Sequence, residues 1–190
     1  STTILGGKAV SVTGGTGATS ITGDGLTSVS VKGGGAVTID NTLNSATSTG
    51  TTMTSVILDG VNANSEIKGQ GLTDVTVKGA TTNKHIVTIT TDKADHANIT
   101  GDAALTLKAS DLAALTTIDG SAATGDLTLG TLSTATVNVN TGSGDDTFTI
   151  AATAKVAVDA GAGDDTVTLD AAIAAGSTIK MGEGDDTIKV

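Results

Sequence analysis

Three stretches of the chain place glycine and carboxylate in one recurring arrangement. They are Gly142-Ser143-Gly144-Asp145-Asp146, Gly161-Ala162-Gly163-Asp164-Asp165 and Gly182-Glu183-Gly184-Asp185-Asp186. Each is followed by Thr and then by an apolar residue: Phe148, Val167 or Ile188. Glycine tolerates backbone angles that a Cβ forbids, so such a turn curls tightly and exposes its carbonyls. Carbonyl and carboxylate oxygens together are the ligands of a hard cation. Calcium takes six to eight of them at roughly 2.3–2.6 Å. One turn cannot supply that many, whereas two stacked turns can. The candidate metal-binding residues are therefore Gly142, Gly144, Asp145, Asp146, Gly161, Gly163, Asp164, Asp165, Gly182, Gly184, Asp185 and Asp186.

Stacking makes a cation necessary as well as possible. Adjacent strands lie roughly 4.7–4.9 Å apart. Asp146 over Asp165, and Asp165 over Asp186, would repel by about 3–4 kcal/mol per pair at an effective dielectric near 20. Asp145, Asp164 and Asp185 would add to that. A bound ion turns each repelling pair into a shared ligand set, and its binding free energy becomes folding free energy.

The elements that must position these turns are short strands. Val137 and Val139, Val156 and Val158, and Ile179 and Met181 precede the three turns at period two. Phe148 and Ile150, Val167 and Leu169, and Ile188 and Val190 follow them at the same period. Alternation of this kind marks half-buried strands. The same unit recurs upstream: Gly23–Gly33 matches Gly69–Gly79 at eight of eleven positions. Looser relatives are Ile99–Lys108, then Leu115–Gly120 with Leu127–Gly130 and Val137–Val139. Turns recurring about every 20 residues suit parallel coils better than hairpins, and about nine coils would fit the chain. Ser110–Leu115 carries a possible cap and one helical turn, but Val, Thr, Ile and Gly dominate elsewhere and form helices poorly. The expected fold is all-β: a right-handed parallel β-solenoid with Gly/Asp-rich calcium-binding turns.

Composition agrees. The chain of 190 residues has 26 Gly, one Phe and no Trp, Tyr, Cys or Pro. Large aromatic side chains normally supply much of a core's apolar area. Without them the core is thin, as in a solenoid stabilised by stacking. The net charge of −10, with lysine as the only strong base, disfavours nucleic acid. No apolar run reaches the length of a membrane span, so membrane insertion is not expected. His85 and His96 form no zinc motif, and no spacing suggests a Ser-His-Asp triad. Arg and aromatic sugar platforms are missing, so the reading is of a protein that is not an enzyme. Thr-x-Thr pairs at Thr88/Thr90, Thr147/Thr149 and Thr166/Thr168 raise the idea of an ice-ordering hydroxyl array. The plainer account is that Thr favours exposed strand positions.

Other turns are expected to lack the ion. Gly14-Gly15-Thr16-Gly17-Ala18-Thr19 follows the same nonapeptide pattern, but Thr19 replaces the carboxylate. Gly33–Gly35, Asp59-Gly60 and Asp119-Gly120 read as plain turns. The three acidic turns themselves depart from the pattern at its first glycine, where Thr141, Ala160 and Met181 stand.

The acidic turns resemble those of RTX proteins, calcium-binding secreted proteins of Gram-negative bacteria, over residues 137–190. The Thr-, Ala- and Gly-rich remainder, with Leu115–Leu129, is similar to RTX-type surface-layer (S-layer) proteins. The resemblance implies type I secretion, calcium-triggered folding outside the cell and self-association into a lattice on the cell surface. Residues 1–190 then read as one solenoid fragment of a longer protein. Residues 1–136 would be irregular coils with few or no calcium sites, and 137–190 the calcium-binding coils. The alternatives are a calcium-stiffened adhesin stalk, or the calcium-binding C-terminal region of a secreted protease or toxin.

Overall fold

A computed structural model describes residues 9–15, 17–23, 25–41, 52–78, 85–90, 96–102, 104–107, 115–132, 136–151, 155–170 and 172–190. Among these residues the alternating Val, Ile and Leu form eighteen short strands in two sheets. One sheet contains β1 (Ala9–Thr13), β3 (Ser28–Lys32), β5 (Ser55–Asp59), β7 (Asp74–Lys78), β9 (His96–Gly101), β11 (Thr117–Ala123), β13 (Thr136–Asn140), β15 (Lys155–Asp159) and β17 (Thr178–Lys180). The other contains β2 (Thr19–Thr22), β4 (Val37–Asp40), β6 (Ser65–Lys68), β8 (His85–Thr90), β10 (Leu105–Leu107), β12 (Leu127–Leu132), β14 (Thr147–Ile150), β16 (Thr166–Leu169) and β18 (Thr187–Lys189). Within each sheet the strands follow in chain order, and every pairing is parallel. The chain thus winds as a β-solenoid, contributing one strand to each sheet per coil. No helix occurs among the described residues; Ser110–Ala114, the possible helical turn, lies outside them.

Register explains how so little aromatic surface holds the coils. One inward column runs Val10, Val29, Val56, Val75, Ala97, Ile118, Val139, Val158 and Ile179, each paired with the next. The opposite sheet stacks Ile21, Ile39, Ile67 and Ile89. β-Branched side chains with few rotamers lose little freedom in such a stack. The two copies of the Gly-x-Gly-Leu-Thr unit supply β3 and β7, two rungs apart. Between them sits a third, less obvious copy, in which Met53 stands where the others have Leu26 and Leu72; all three side chains are buried. Thr27, Thr54 and Thr73 follow them, and each amide of the later two donates to the preceding carbonyl at 3.0 Å.

Most coils advance by 19 to 22 residues. One is longer, separating Thr54 from Thr27 by 27 residues, and its excess includes residues 42–51, outside the described set. Asp119-Gly120 is not a plain turn. Both residues lie within β11, which shifts register against β9 between Asp119 and Ala122. The Asp119 carboxylate accepts from the Ser121 hydroxyl at 2.7 Å and its amide at 3.1 Å, which holds the carboxyl below its ordinary range. This bond anchors the irregularity, so a turn dipeptide is absorbed into a strand.

Phe148 is the largest side chain in the core and is almost fully buried. It pairs with Val167 on the next coil. Phe148→Ala should cost about 3–5 kcal/mol, read by chemical denaturation with calcium present. A loss under about 1 kcal/mol would mean that the coils do not unfold as one unit with their core.

Candidate metal centre

The three acidic turns join β13 to β14, β15 to β16 and β17 to β18, all along one edge of the solenoid. They stack directly: Ser143 bridges Ala162, and Ala162 bridges Glu183, in parallel. The glycines make this approach possible. Gly142, Gly161 and Gly182 have φ of 96°, 100° and 102°; Gly144, Gly163 and Gly184 have 115°, 126° and 135°. A Cβ on Gly161 would strike the Gly142 carbonyl, and one on Gly163 would strike that of Gly144. Gly182 and Gly184 repeat the relation one coil further on. Each turn therefore points carbonyl oxygens at the glycines of the next. Gly163→Ala violates both conformation and space and should destabilise by more than about 1 kcal/mol. Gly17→Ala, where neither applies, should stay within about 1 kcal/mol. Thermal melts of the pair provide the comparison.

The carboxylates form two columns of opposite sense. In the inner column each side chain reaches back one coil. Asp146 Oδ1 accepts from the Leu127 amide at 2.7 Å, Asp165 Oδ1 from that of Asp146 at 2.8 Å, and Asp186 Oδ1 from that of Asp165 at 3.0 Å. In the outer column each side chain reaches forward. Asp126 Oδ1 accepts from the Asp145 amide at 3.0 Å, Asp145 from Asp164 at 2.9 Å, and Asp164 from Asp185 at 2.9 Å. Every gap between turns thus receives one carboxylate from below and one from above. Asp126 was not among the residues singled out from sequence. The available signal was Gly125-Asp126 standing 19 residues before Gly144-Asp145, a repeat hidden because Leu127 replaces the second Asp.

Two of these oxygens are exceptional. Asp146 and Asp165 are 0 % and 1 % exposed, and the Oδ2 atom of each is buried without a partner. The Thr141 hydroxyl, beside Asp146, lies 2.8 Å from the Ala160 carbonyl, and its single proton can serve only one of these two acceptors. Burial pushes the Asp146 carboxyl up to about 7; the Asp165 and Asp126 charges add to this, against the pull of the Leu127 amide and Thr141. Burial likewise pushes Asp165 up to about 6, helped by Asp186, Asp145 and Asp164 and opposed by the Asp146 amide. A buried carboxylate oxygen with no donor carries a large desolvation cost. A cation between the turns would remove it, so these residues fit a hard metal ion. Among the described residues no three acidic or imidazole groups converge on one point. Each gap offers two carboxylates, and the remaining ligands would be backbone carbonyls and water.

The other expected sites fall away from this edge. Gly14 (φ 69°) and Gly33 (φ 69°) make stacked turns: the Gly35 amide donates to the Gly17 carbonyl at 3.2 Å. No carboxylate takes the place of Thr19, which is instead the first residue of β2. His85 and His96 begin β8 and β9, with His96 exposed. Of the Thr pairs, Thr147/Thr149 and Thr166/Thr168 line up, whereas Thr88 and Thr90 pair with Glu66 and Lys68. Thr106, Thr128, Thr147, Thr166 and Thr187 pair in file, and beside them Thr131, Thr149 and Thr168. The files stop at Ile86 and Lys189, so the hydroxyl array covers only part of the sheet.

Comparison with protein-family models, curated proteins and solved structures returned no match.

Proposed function

We propose that this chain is a structural, calcium-binding module of a bacterial S-layer protein, secreted to the cell surface and folding there in response to calcium. The observation that carries the reading is the buried, unpartnered oxygen of Asp165, with its counterpart on Asp146, each reaching back one coil between stacked turns whose lower carbonyls point at the glycines above. Calcium supplies neutralising charge and a coordination shell loose enough for mixed carboxylate and carbonyl ligands. The glycines Gly142, Gly144, Gly161, Gly163, Gly182 and Gly184 shape the shell. Asp146, Asp165 and Asp186 supply inner carboxylates, Asp145 and Asp164 supply outer ones, and Asp185 stands next in that outer column at the last turn.

The outward surfaces support self-association. The even-numbered sheet presents files of Thr, and the odd-numbered sheet a file of Asp119, Asn140, Asp159 and Lys180. Long repetitive faces of this kind allow many weak contacts, which a lattice multiplies into strong attachment. The test is electron microscopy of the full-length protein with and without calcium. Ordered sheets with calcium, lost on chelation, are expected. Isolated rods that stiffen with calcium but never form sheets would overturn the lattice and favour an adhesin stalk.

A further inference from the structure

We propose that a third calcium ion binds one coil below the recognisable acidic turns, between the turn Ala123–Leu127 and the turn Gly142–Asp146. This rests on the calcium reading above and extends it to a turn that lacks the acidic motif. The inner carboxylate of each gap belongs to the turn above it, because Asp146, Asp165 and Asp186 all reach back. The lower turn needs no inner Asp, so Leu127 at that position does not empty the gap. What the lower turn must provide is an outer carboxylate and upward-facing carbonyls. Asp126 provides the first, reaching forward to the Asp145 amide at 3.0 Å as Asp145 does to Asp164 at 2.9 Å. The carbonyls of Gly120 and Ala123 lie under Gly142, and that of Gly125 lies under Gly144, where a Cβ would stand 3.1 Å from it.

The oxygen inventory follows that of the gap above in its two carboxylates, one from below and one from above, and in the carbonyls under Gly142; under Gly144 it is the Gly125–Asp126 peptide, with its oxygen at 3.1 Å, that takes the place of a carbonyl aimed at the glycine. The deciding feature is Asp146 Oδ2. Its sibling oxygen bonds Leu127, so the side chain is directed into this gap, and Oδ2 is buried there without a donor. A hard divalent cation with oxygen ligands is the partner such an atom lacks.

Native mass spectrometry of the 190-residue chain with calcium tests the proposal. Wild type should carry three tightly held ions and Asp126→Asn two, since Asn keeps the bond to the Asp145 amide but loses the charge. Asp74→Asn, exposed on β7 and remote from these turns, should keep three. An unchanged count in Asp126→Asn, or two ions in wild type, overturns the third site while leaving the other two gaps standing. No bound ion in wild type overturns the calcium reading itself. If Asp126→Asn does not fold, the wild-type count decides by itself: three ions support the site, and two defeat it.

Discussion

Removing calcium at pH 8 should unfold the coils containing Asp146, Asp165 and Asp186 while the N-terminal coils stay protected. Hydrogen exchange with and without chelator should show this split. Among the described residues the N-terminal coils have the same apolar columns without stacked acidic turns, so their stability is expected not to depend on an ion. The two buried carboxyls set the pH dependence. Their folded values, about 7 for Asp146 and about 6 for Asp165, lie above the ordinary Asp value near 4. A group raised in the folded state stabilises below its unfolded value, and that stability is lost as pH rises through the folded value. In chelator the contribution of these two carboxyls to the C-terminal coils is therefore full at and below about pH 4 and is lost between about pH 4 and pH 7, with little further change to pH 8. The loss reaches up to about 1.4 kcal/mol per carboxyl for each pH unit in which only the folded form is protonated. With calcium present the trend reverses, because protons and the ion compete for the same oxygens. Equal protection along the chain in both conditions, or a calcium-free form most stable at pH 8, would contradict this account.

Replacing Asp146, Asp165 and Asp186 together by Asn separates the carboxylates' cost from their benefit. Asn retains an oxygen to accept the Leu127, Asp146 and Asp165 amides, so the turns keep their shape. In chelator the variant should be at least as stable as wild type, since two buried charges are gone. In calcium it should fall well below wild type. A site held at a hundredfold excess over its Kd contributes about 2.7 kcal/mol, so losing two or more removes at least about 5 kcal/mol. Denaturation in both conditions measures the crossing, and microscopy of the full-length variant should show no ordered sheets. Unchanged sheets, or the same calcium-dependent stabilisation as wild type, would sink both the ligand assignment and the link to assembly.

Local chemistry is what can be read along the chain. Period-two Val, Ile and Leu determined the strands, because burial on one face requires alternation. Recurring Gly-x-Gly-Asp-Asp determined the acidic turns, because only glycine accepts those angles and that closeness. The near-identity of Gly23–Gly33 and Gly69–Gly79 announced coils. Relations between coils depend on stacking, which spacing only approximates. Whether Asp146 reaches toward Asp165 or away from it is decided by which neighbouring amide is free. The tertiary structure directs it to Leu127, so each inner carboxylate serves the gap below its own turn. Asp126 gains its place the same way, through a register that brings Gly125 under Gly144 although the residue beside it is Leu. Asp119-Gly120, a turn dipeptide in isolation, is drawn into β11 because strands on both sides pair with it and Ser121 satisfies the carboxylate. Sequence alone thus determined the kinds of element and the kind of ligand. The assignment of each carboxylate to its gap came only with folding, because that depends on hydrogen bonds between residues 19 to 21 positions apart.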